Sequence, residues 1–501
     1  MSTIRYKRTE GKKGYIKLLR QFKLDDLLKY INSVSARIFN NKTEFRGTIK
    51  IPYTVQRTDT YEILNQTVIT TGWDLVDLSY NAIMVSNDHI GVSIKDDSEF
   101  GLLIKATYDN HEENEKQILE EFKDNDNKLL LYLWGFFGEQ TKIQNLKQSI
   151  DNAGRELYIL FDISKRIEFS IDIEEIVYEE TGLKWQAIIT SLYYALFCSV
   201  YSPLLFEYVN LITWDSLFKK EDYLETVKFY SATYDDVRES NLKRQILYSK
   251  PFIKTQNGEY ISTNCYLNLF AYEHSVFWIV RNHYSKIKSQ DFTNGFGILY
   301  EEYIRELFDY CLKKEQFEKI EVHKTKRADW RLIIGNYRFL IEQKSSLLRL
   351  SAKKQESNIN DISHYAKEVI FDALEQLDKT EKYYSDGTYI KIILIYEDYL
   401  YPEIMDMFFK IDDCPVNKDN KYWLMTTEEM EMFMYTYKND SELFAKIIDE
   451  KNARENSDYK QGKSIKTIMN EIGIINNEYI EKPEINSYSC LAEKNIISHI
   501  R

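Results

Sequence analysis

The feature that most constrains the fold is a pair of apolar runs joined by Gly335 and Asn336. The runs, ADWRLII and YRFLIEQKSS, have the composition and alternation of strands. A two-residue connection of Gly and Asn prefers a primed turn, and such a turn fixes the register of a hairpin. If these two residues form the loop, Ile334 faces Tyr337.

The same register predicts that Asp329 and Glu342 face each other at the open end of the hairpin. Residues directly opposite share one sheet face, with Cβ atoms about 5 Å apart. Like charges in that arrangement destabilise a sheet unless something offsets the repulsion, and a divalent cation can do so. Hard oxygen ligands without a neighbouring Cys or His ligand favour Mg²⁺ or Mn²⁺ over zinc.

Lys344 adds an ammonium group on the face that carries Glu342, because residues two apart in a strand point to the same side. Two acids and a lysine suit phosphodiester hydrolysis for a chemical reason. The metal polarises a phosphoryl oxygen and lowers the pKa of a bound water, and the lysine orients that water or balances developing charge. A second metal sharing Asp329 remains an alternative.

A fourth candidate, Glu301, lies on the preceding amphipathic segment YEEYIRELFDYC. Its apolar positions recur at helical spacing, which puts Glu301 on the flank of the buried stripe and Glu302 on the opposite side. We therefore expect Glu301 to reach the site. The alternative is a surface carboxylate paired with Arg305 one turn away.

The order of predicted elements divides the chain into three parts. Residues 1–290 read as a mixed, helix-rich region of unknown role, residues 291–450 as an α-β-β-β-α-β unit, and residues 451–501 as a polar tail that is loosely held. The fold class expected is mixed α/β. An uncharged stretch, Trp185–Phe206, approaches the length of a membrane span, but its polar residues and Pro203 favour a buried core helix.

These residues resemble the motif of the PD-(D/E)xK nuclease superfamily, whose members include restriction endonucleases. The likeness covers roughly residues 296–398 and implies a restriction-endonuclease-like core. It assigns catalytic roles to Glu301, Asp329, Glu342 and Lys344, and metal ligation to Asp329, Glu342 and the backbone carbonyl of Gln343. Ala328 stands where the family often has Pro, and no clean QxxxY element surrounds Gln376.

The resemblance implies a cytoplasmic Mg²⁺- or Mn²⁺-dependent endonuclease of bacterial restriction or antiphage defence, acting on DNA in preference to RNA. A homodimer, or a partner protein from a defence operon, is compatible with it. The alternatives are an RNase or nickase of the same fold, and a catalytically silent module that binds nucleic acid or a partner. Scattered cysteines and the absence of an apolar N-terminal run fit a reducing compartment without export.

The net charge of −13 taken alone argues against a nucleic-acid partner, but the distribution of the charges matters more than their sum. Residues 319–354 contain ten Lys or Arg against three Asp or Glu. The alternative is an ordinary solvated basic face. The candidate nucleic-acid contacts in this segment are Lys324, Lys326, Arg327, Arg349, Lys353 and Lys354.

Overall fold

A computed structural model describes residues 11–41, 48–56, 63–88, 90–121, 146–211, 214, 219–321, 327–345, 366–384, 386–396, 422–456 and 463–497. Over these residues the protein is a mixed α/β structure in which helices predominate and the strands form three small sheets. None of its described helices is long and apolar enough to cross a membrane.

The first half is mostly helical. Its helices are α1 (Gly11–Leu19), α2 (Leu24–Phe39), α3 (Gly72–Val85), α4 (Asp97–Glu121), α5 (Leu146–Tyr158), α6 (Ser164–Arg166), α7 (Ile173–Thr181), α8 (Trp185–Tyr201), α9 (Lys220–Phe229), α10 (Tyr234–Glu239), α11 (Ile246–Ser249) and α12 (Cys265–Lys286). A π-helical segment, Ile159–Ile163, joins α5 to α6. The strands are β1 (Thr48–Gln56), β2 (Ile63–Thr71), β3 (Ser231–Thr233), β4 (Phe252–Lys254) and β5 (Tyr260–Ser262).

The second half contains α13 (Asp291–Cys311), β6 (Phe317–Lys319), β7 (Trp330–Ile334), β8 (Tyr337–Lys344), α14 (Asp372–Tyr383), β9 (Ile390–Ile395), β10 (Tyr422–Thr426), α15 (Thr427–Asn439), α16 (Ser441–Glu455), α17 (Ile465–Glu471), α18 (Pro483–Ser489) and α19 (Leu491–Ile497). A π-helical segment, Ala366–Phe371, leads into α14. The predicted order of one helix, three strands, a helix and a further strand is therefore present.

The strands of the second half form one five-stranded sheet in the order β10-β9-β8-β7-β6. β6, β7 and β8 are antiparallel neighbours, whereas β8, β9 and β10 run parallel. On one face, Phe308 of α13 packs edge-on against Trp330 and Phe433 of α15 packs against Phe339. α14 covers β8 and β9 on the other face. The sheet is thus buried on both sides, as its parallel part requires.

The predicted hairpin is confirmed in its register, since Ile334 pairs with Tyr337 and Trp330 with Ile341. Gly335 has a φ of +58°. A left-handed residue at the first of the two loop positions is typical of a primed turn, which twists in the same sense as the flanking strands. The turn therefore explains why this register, and no other, forms.

The buried apolar side chains of the described residues form two hydrophobic cores. The smaller takes its side chains from residues 15–106 and 232–267. The main core draws on residues 153–230 and 265–492, with Ala36 and Phe252. It continues across residue 290, where the sequence predicts a domain boundary, because Phe277 of α12 packs against Phe292 and Phe296 of α13. The uncharged segment forms α8, a helix of this core, as expected.

The expectation of a loosely held tail after residue 451 is wrong for the part that the structure describes. Tyr479, Ile480 and Ile485 are buried in the main core. α18 packs against α5, where Gly154 leaves no room for a Cβ beside Ser489. These apolar side chains are sparse in a polar stretch, which is why composition did not reveal them.

Candidate active site

The site lies where β6, β7 and β8 meet the middle of α13. Glu342 and Lys344 end β8, and the Oγ atom of Ser345 lies 3.3 Å from where a Cβ on Gly297 of α13 would stand. One turn further along this helix is Glu301. The four residues predicted to be catalytic are therefore brought to one end of the sheet, from two strands and the helix packed beside them.

The sequence predicts that Asp329 lies directly opposite Glu342, but the structure shows a different pairing. Its backbone N–H donates to the carbonyl of Ile341 at 3.0 Å, although Ile341 already pairs with Trp330. Two residues of one strand thus oppose one of the other, which is the arrangement of a β-bulge. The expected pairing of Asp329 with Glu342 is therefore wrong by one residue. The Asp329 carboxylate accepts a hydrogen bond that a backbone carbonyl would accept in a regular ladder.

The Asp329 carboxylate is bonded to the backbone of the neighbouring strand: the N–H of Gln343 donates to Oδ2 of Asp329 at 2.8 Å. Just before the bulge, Ala328 donates its N–H to the hydroxyl of Thr380 in α14, at 2.8 Å. Side chains therefore replace the backbone partners that an undisturbed hairpin would supply. The Asp329 carboxylate is held at the end of the sheet by a backbone donor, which fixes its position more tightly than a free side chain.

Glu342 is buried, with 3% of its surface exposed. Its Oε1 accepts a bond of 2.7 Å from Nζ of Lys344, while Oε2 is buried and has no hydrogen-bond partner among the residues that the structure describes. Burial, and next the negative charge of Asp329, raise the pKa of Glu342 to about 8. A buried oxygen without a partner is costly, and a ligand or ion that binds there is one explanation for it.

Glu301 forms an ion pair with Lys319 of β6. Its side chain is 43% exposed, at the rim of the site. The alternative partner, Arg305, pairs instead with Glu302 and Asp309. Glu301 therefore points toward the sheet and Glu302 away from it, as the helical spacing predicts.

Lys319 is the site residue that the sequence reasoning missed. Its Nζ lies 3.4 Å from Oδ1 of Asp329 and also contacts Glu301. The pairing of β6 with β7 brings it there. No sequence signal fixes that pairing, because the segment joining the two strands is long and lacks the short turn that defined the hairpin.

Five of the six predicted nucleic-acid contacts, Lys324, Lys326, Arg349, Lys353 and Lys354, lie outside the described residues. The sixth, Arg327, stacks its guanidinium over the ring of Tyr383, 3.7 Å from the centroid. It lies two residues before Asp329 in the sequence. The two histidines nearest in sequence, His323 and His364, are also outside the described part of the chain.

Among the residues that the structure describes, no three or more His, Cys, Asp or Glu side chains are grouped closely enough to form a metal site of their own. The ligands that the resemblance implies are Asp329, Glu342 and the carbonyl of Gln343, of which only two are such side chains. This set fits Mg²⁺, which commonly binds one or two carboxylates and completes its shell with water and substrate oxygens. The unpartnered Oε2 of Glu342 is an oxygen that such an ion would satisfy.

Comparison with protein-family models, curated proteins and solved structures finds no match for this chain. Its function is therefore inferred from the geometry and chemistry of these side chains.

Proposed function

We propose that this protein is a Mg²⁺- or Mn²⁺-dependent nuclease of the PD-(D/E)xK kind, with DNA as its preferred substrate. The observation that supports this most is the buried carboxylate of Glu342. It bonds Lys344, it is within the electrostatic influence of Asp329, and its Oε2 has no hydrogen-bond partner within the described part of the chain. The order of elements around it, α13 to β9, agrees with a restriction-endonuclease-like core.

In this proposal Asp329 and Glu342 hold the cation with the carbonyl of Gln343. A carboxylate has about four acceptor positions, so Asp329 retains free ones after bonding Gln343 and Lys319. A bound divalent cation supplies Lewis acidity and a water of lowered pKa.

The chain's own residues then position the reaction. The Lys344 ammonium, which is 17% exposed and pairs with Glu342, would orient the attacking water and balance charge on the phosphoryl oxygens. The low exposure of both side chains strengthens these electrostatic interactions. Glu301 and Lys319 border the site on the helix side.

The rest of the chain would bind the substrate and regulate its cleavage. The basic segment 319–354 would bind the phosphate backbone, with Arg327 next to the cleavage site. The first half would sense, bind or restrain, as in bacterial restriction or antiphage effectors that act in the cytoplasm. A homodimer or a partner protein from a defence operon belongs to the same proposal.

A catalytically silent module that binds nucleic acid or a partner is the second candidate. It is favoured by one observation, that Lys319 and Lys344 already pair with all three acids of the site. An RNase or nickase would use the same residues as the proposed endonuclease. Calorimetry separates the classes, because a silent module should take up no Mg²⁺ at this site.

The decisive experiment incubates the full chain with plasmid DNA, single-stranded DNA and RNA, in Mg²⁺ or in EDTA. We expect cleavage only with metal, and a loss of at least about 100-fold in Asp329→Asn and Lys344→Met. Lys379→Met, which removes an exposed lysine paired with Glu375, is the matched control and should cut like wild type. Equal cutting by the site variants would refute the assignment.

A further inference from the structure

Lys319 is placed in the site by the backbone, not by the reach of a flexible side chain. It pairs with Trp330 across the β6-β7 ladder. The next residue, Ile320, donates its N–H to the carbonyl of Asp329 at 2.9 Å. Because β6 is bonded to β7 at this position and at the next one, the backbone of Lys319 is fixed beside Asp329.

The side chain of Lys319 contacts an aromatic ring and two carboxylates. Its ammonium lies 5.1 Å from the centre of the Trp330 ring, and the indole N–H of Trp330 donates to Oε1 of Gln343 at 3.1 Å. The ring is therefore fixed, and it attracts a cation on its face. The ammonium then contacts both Glu301 and Oδ1 of Asp329.

We propose that the ammonium group of Lys319 takes the place of a second divalent cation between Glu301 and Asp329, so that the nuclease uses a single metal ion. This inference rests on the proposed function, since it concerns how many ions the same site binds. It answers the question of one or two metals that the sequence leaves open.

The charges of the site support a single ion. With its three carboxylates ionised, the site has two ammonium groups and a formal charge of −1. One divalent cation and one phosphodiester of charge −1 bring the total to zero, whereas a second divalent cation would leave +2 unbalanced. Without Lys319, Glu301 and Asp329 would be two uncompensated acids on one side of the site, and such pairs bind cations.

The test counts Mn²⁺ ions bound to the full chain, by calorimetry and by the paramagnetic resonance of free Mn²⁺. Wild type should bind one ion. Lys319→Met, which keeps the aliphatic stem on Trp330, should bind two, and adding Glu301→Gln to it should restore one. Lys319→Arg retains the charge and should bind one, as should the exposed control Lys314→Met.

The outcomes separate this inference from the proposed function. Two ions in wild type, or one ion in a folded Lys319→Met, would overturn the single-metal assignment and leave the nuclease proposal intact. No ion in wild type would remove the metal-dependent function itself, and this inference with it. The unfolding transition of each variant is recorded alongside. If Lys319→Met fails to fold, the number of Mn²⁺ ions is counted in Lys319→Arg. Two ions bound to Lys319→Arg would also contradict the assignment.

Discussion

At the scale of single residues, Glu342 combines burial with an incomplete set of hydrogen bonds. Its carboxyl has a pKa of about 8 in the folded protein against an ordinary value of 4.5. Between these two values the folded chain binds a proton that the unfolded chain has released. Stability therefore falls as pH rises through this window, by up to about 1.4 kcal/mol per pH unit.

Replacing Glu342 by Gln should remove that dependence. In metal-free buffer, we expect Glu342→Gln to match wild type near pH 4.5 and to become progressively more stable than wild type up to about pH 8. Chemical denaturation at several pH values measures the difference. Glu315→Gln, at an exposed position, should follow wild type. Parallel curves for wild type and Glu342→Gln would mean that Glu342 is ionised throughout.

Much of the site at this scale was predictable, and two parts were not. The period of a strand puts the side chains of Glu342 and Lys344 on the same face. The period of a helix favours Glu301 over Glu302. The bulge at Asp329 depends on its carboxylate bonding the Gln343 N–H, and Lys319 depends on strand pairing across a long connection. Neither leaves a local pattern in the sequence.

At the scale of elements, the hairpin β7-β8 sets the positions of the acids through its turn. A Cβ on Gly335 would meet no atom within 4 Å, so any cost of a side chain there comes from its φ of +58° alone. A left-handed conformation costs an L-residue roughly 1–2 kcal/mol. The elements that sequence predicted best are those fixed by such short-range rules, and the register of this hairpin is one of them.

We therefore expect Gly335→Val to lower the free energy of unfolding by about 1–2 kcal/mol and to reduce Mn²⁺ binding at the site, because strain at the turn shifts the strands that carry the acids. Gly258→Val is the matched control. Gly258, between β4 and β5, has a φ of +80° and equally open surroundings. It should cost similar stability and leave Mn²⁺ binding unchanged. Equal loss of binding in both variants would argue against a local effect of the hairpin.

At the scale of the whole molecule, a buried ion pair connects the first half to the second. Arg155 of α5 donates two bonds to Glu431 of α15, at 2.6 and 2.7 Å. Their side chains are 4% and 0% exposed. Tyr303 of α13 and Asn477 of the C-terminal segment also donate to Glu431. Residues so far apart in sequence give no spacing signal, which is why this connection could not be predicted.

Removing only one partner of this ion pair should greatly lower the free energy of unfolding. Arg155→Met leaves the Glu431 carboxylate buried without its counter-charge, and we expect a loss of about 3–5 kcal/mol. The double variant Arg155→Met with Glu431→Met should recover part of that loss, since neither charge is then stranded. Lys116→Met, at an exposed pair with Glu112, should change stability by less than about 1 kcal/mol. Denaturant unfolding of all four proteins tests this, and a mild effect of Arg155→Met would contradict it.

The main core that runs unbroken past residue 290 also limits how this protein can change over evolution. A segment beginning at α13 would carry the whole candidate site, yet it would leave behind α5, α8 and α12, which cover its interior. Fusing that segment to a different partner would expose a broad apolar surface and favour aggregation. The candidate site should therefore be inherited with the first half as one unit, and it should diversify by substitution at the surface, not by exchange of modules.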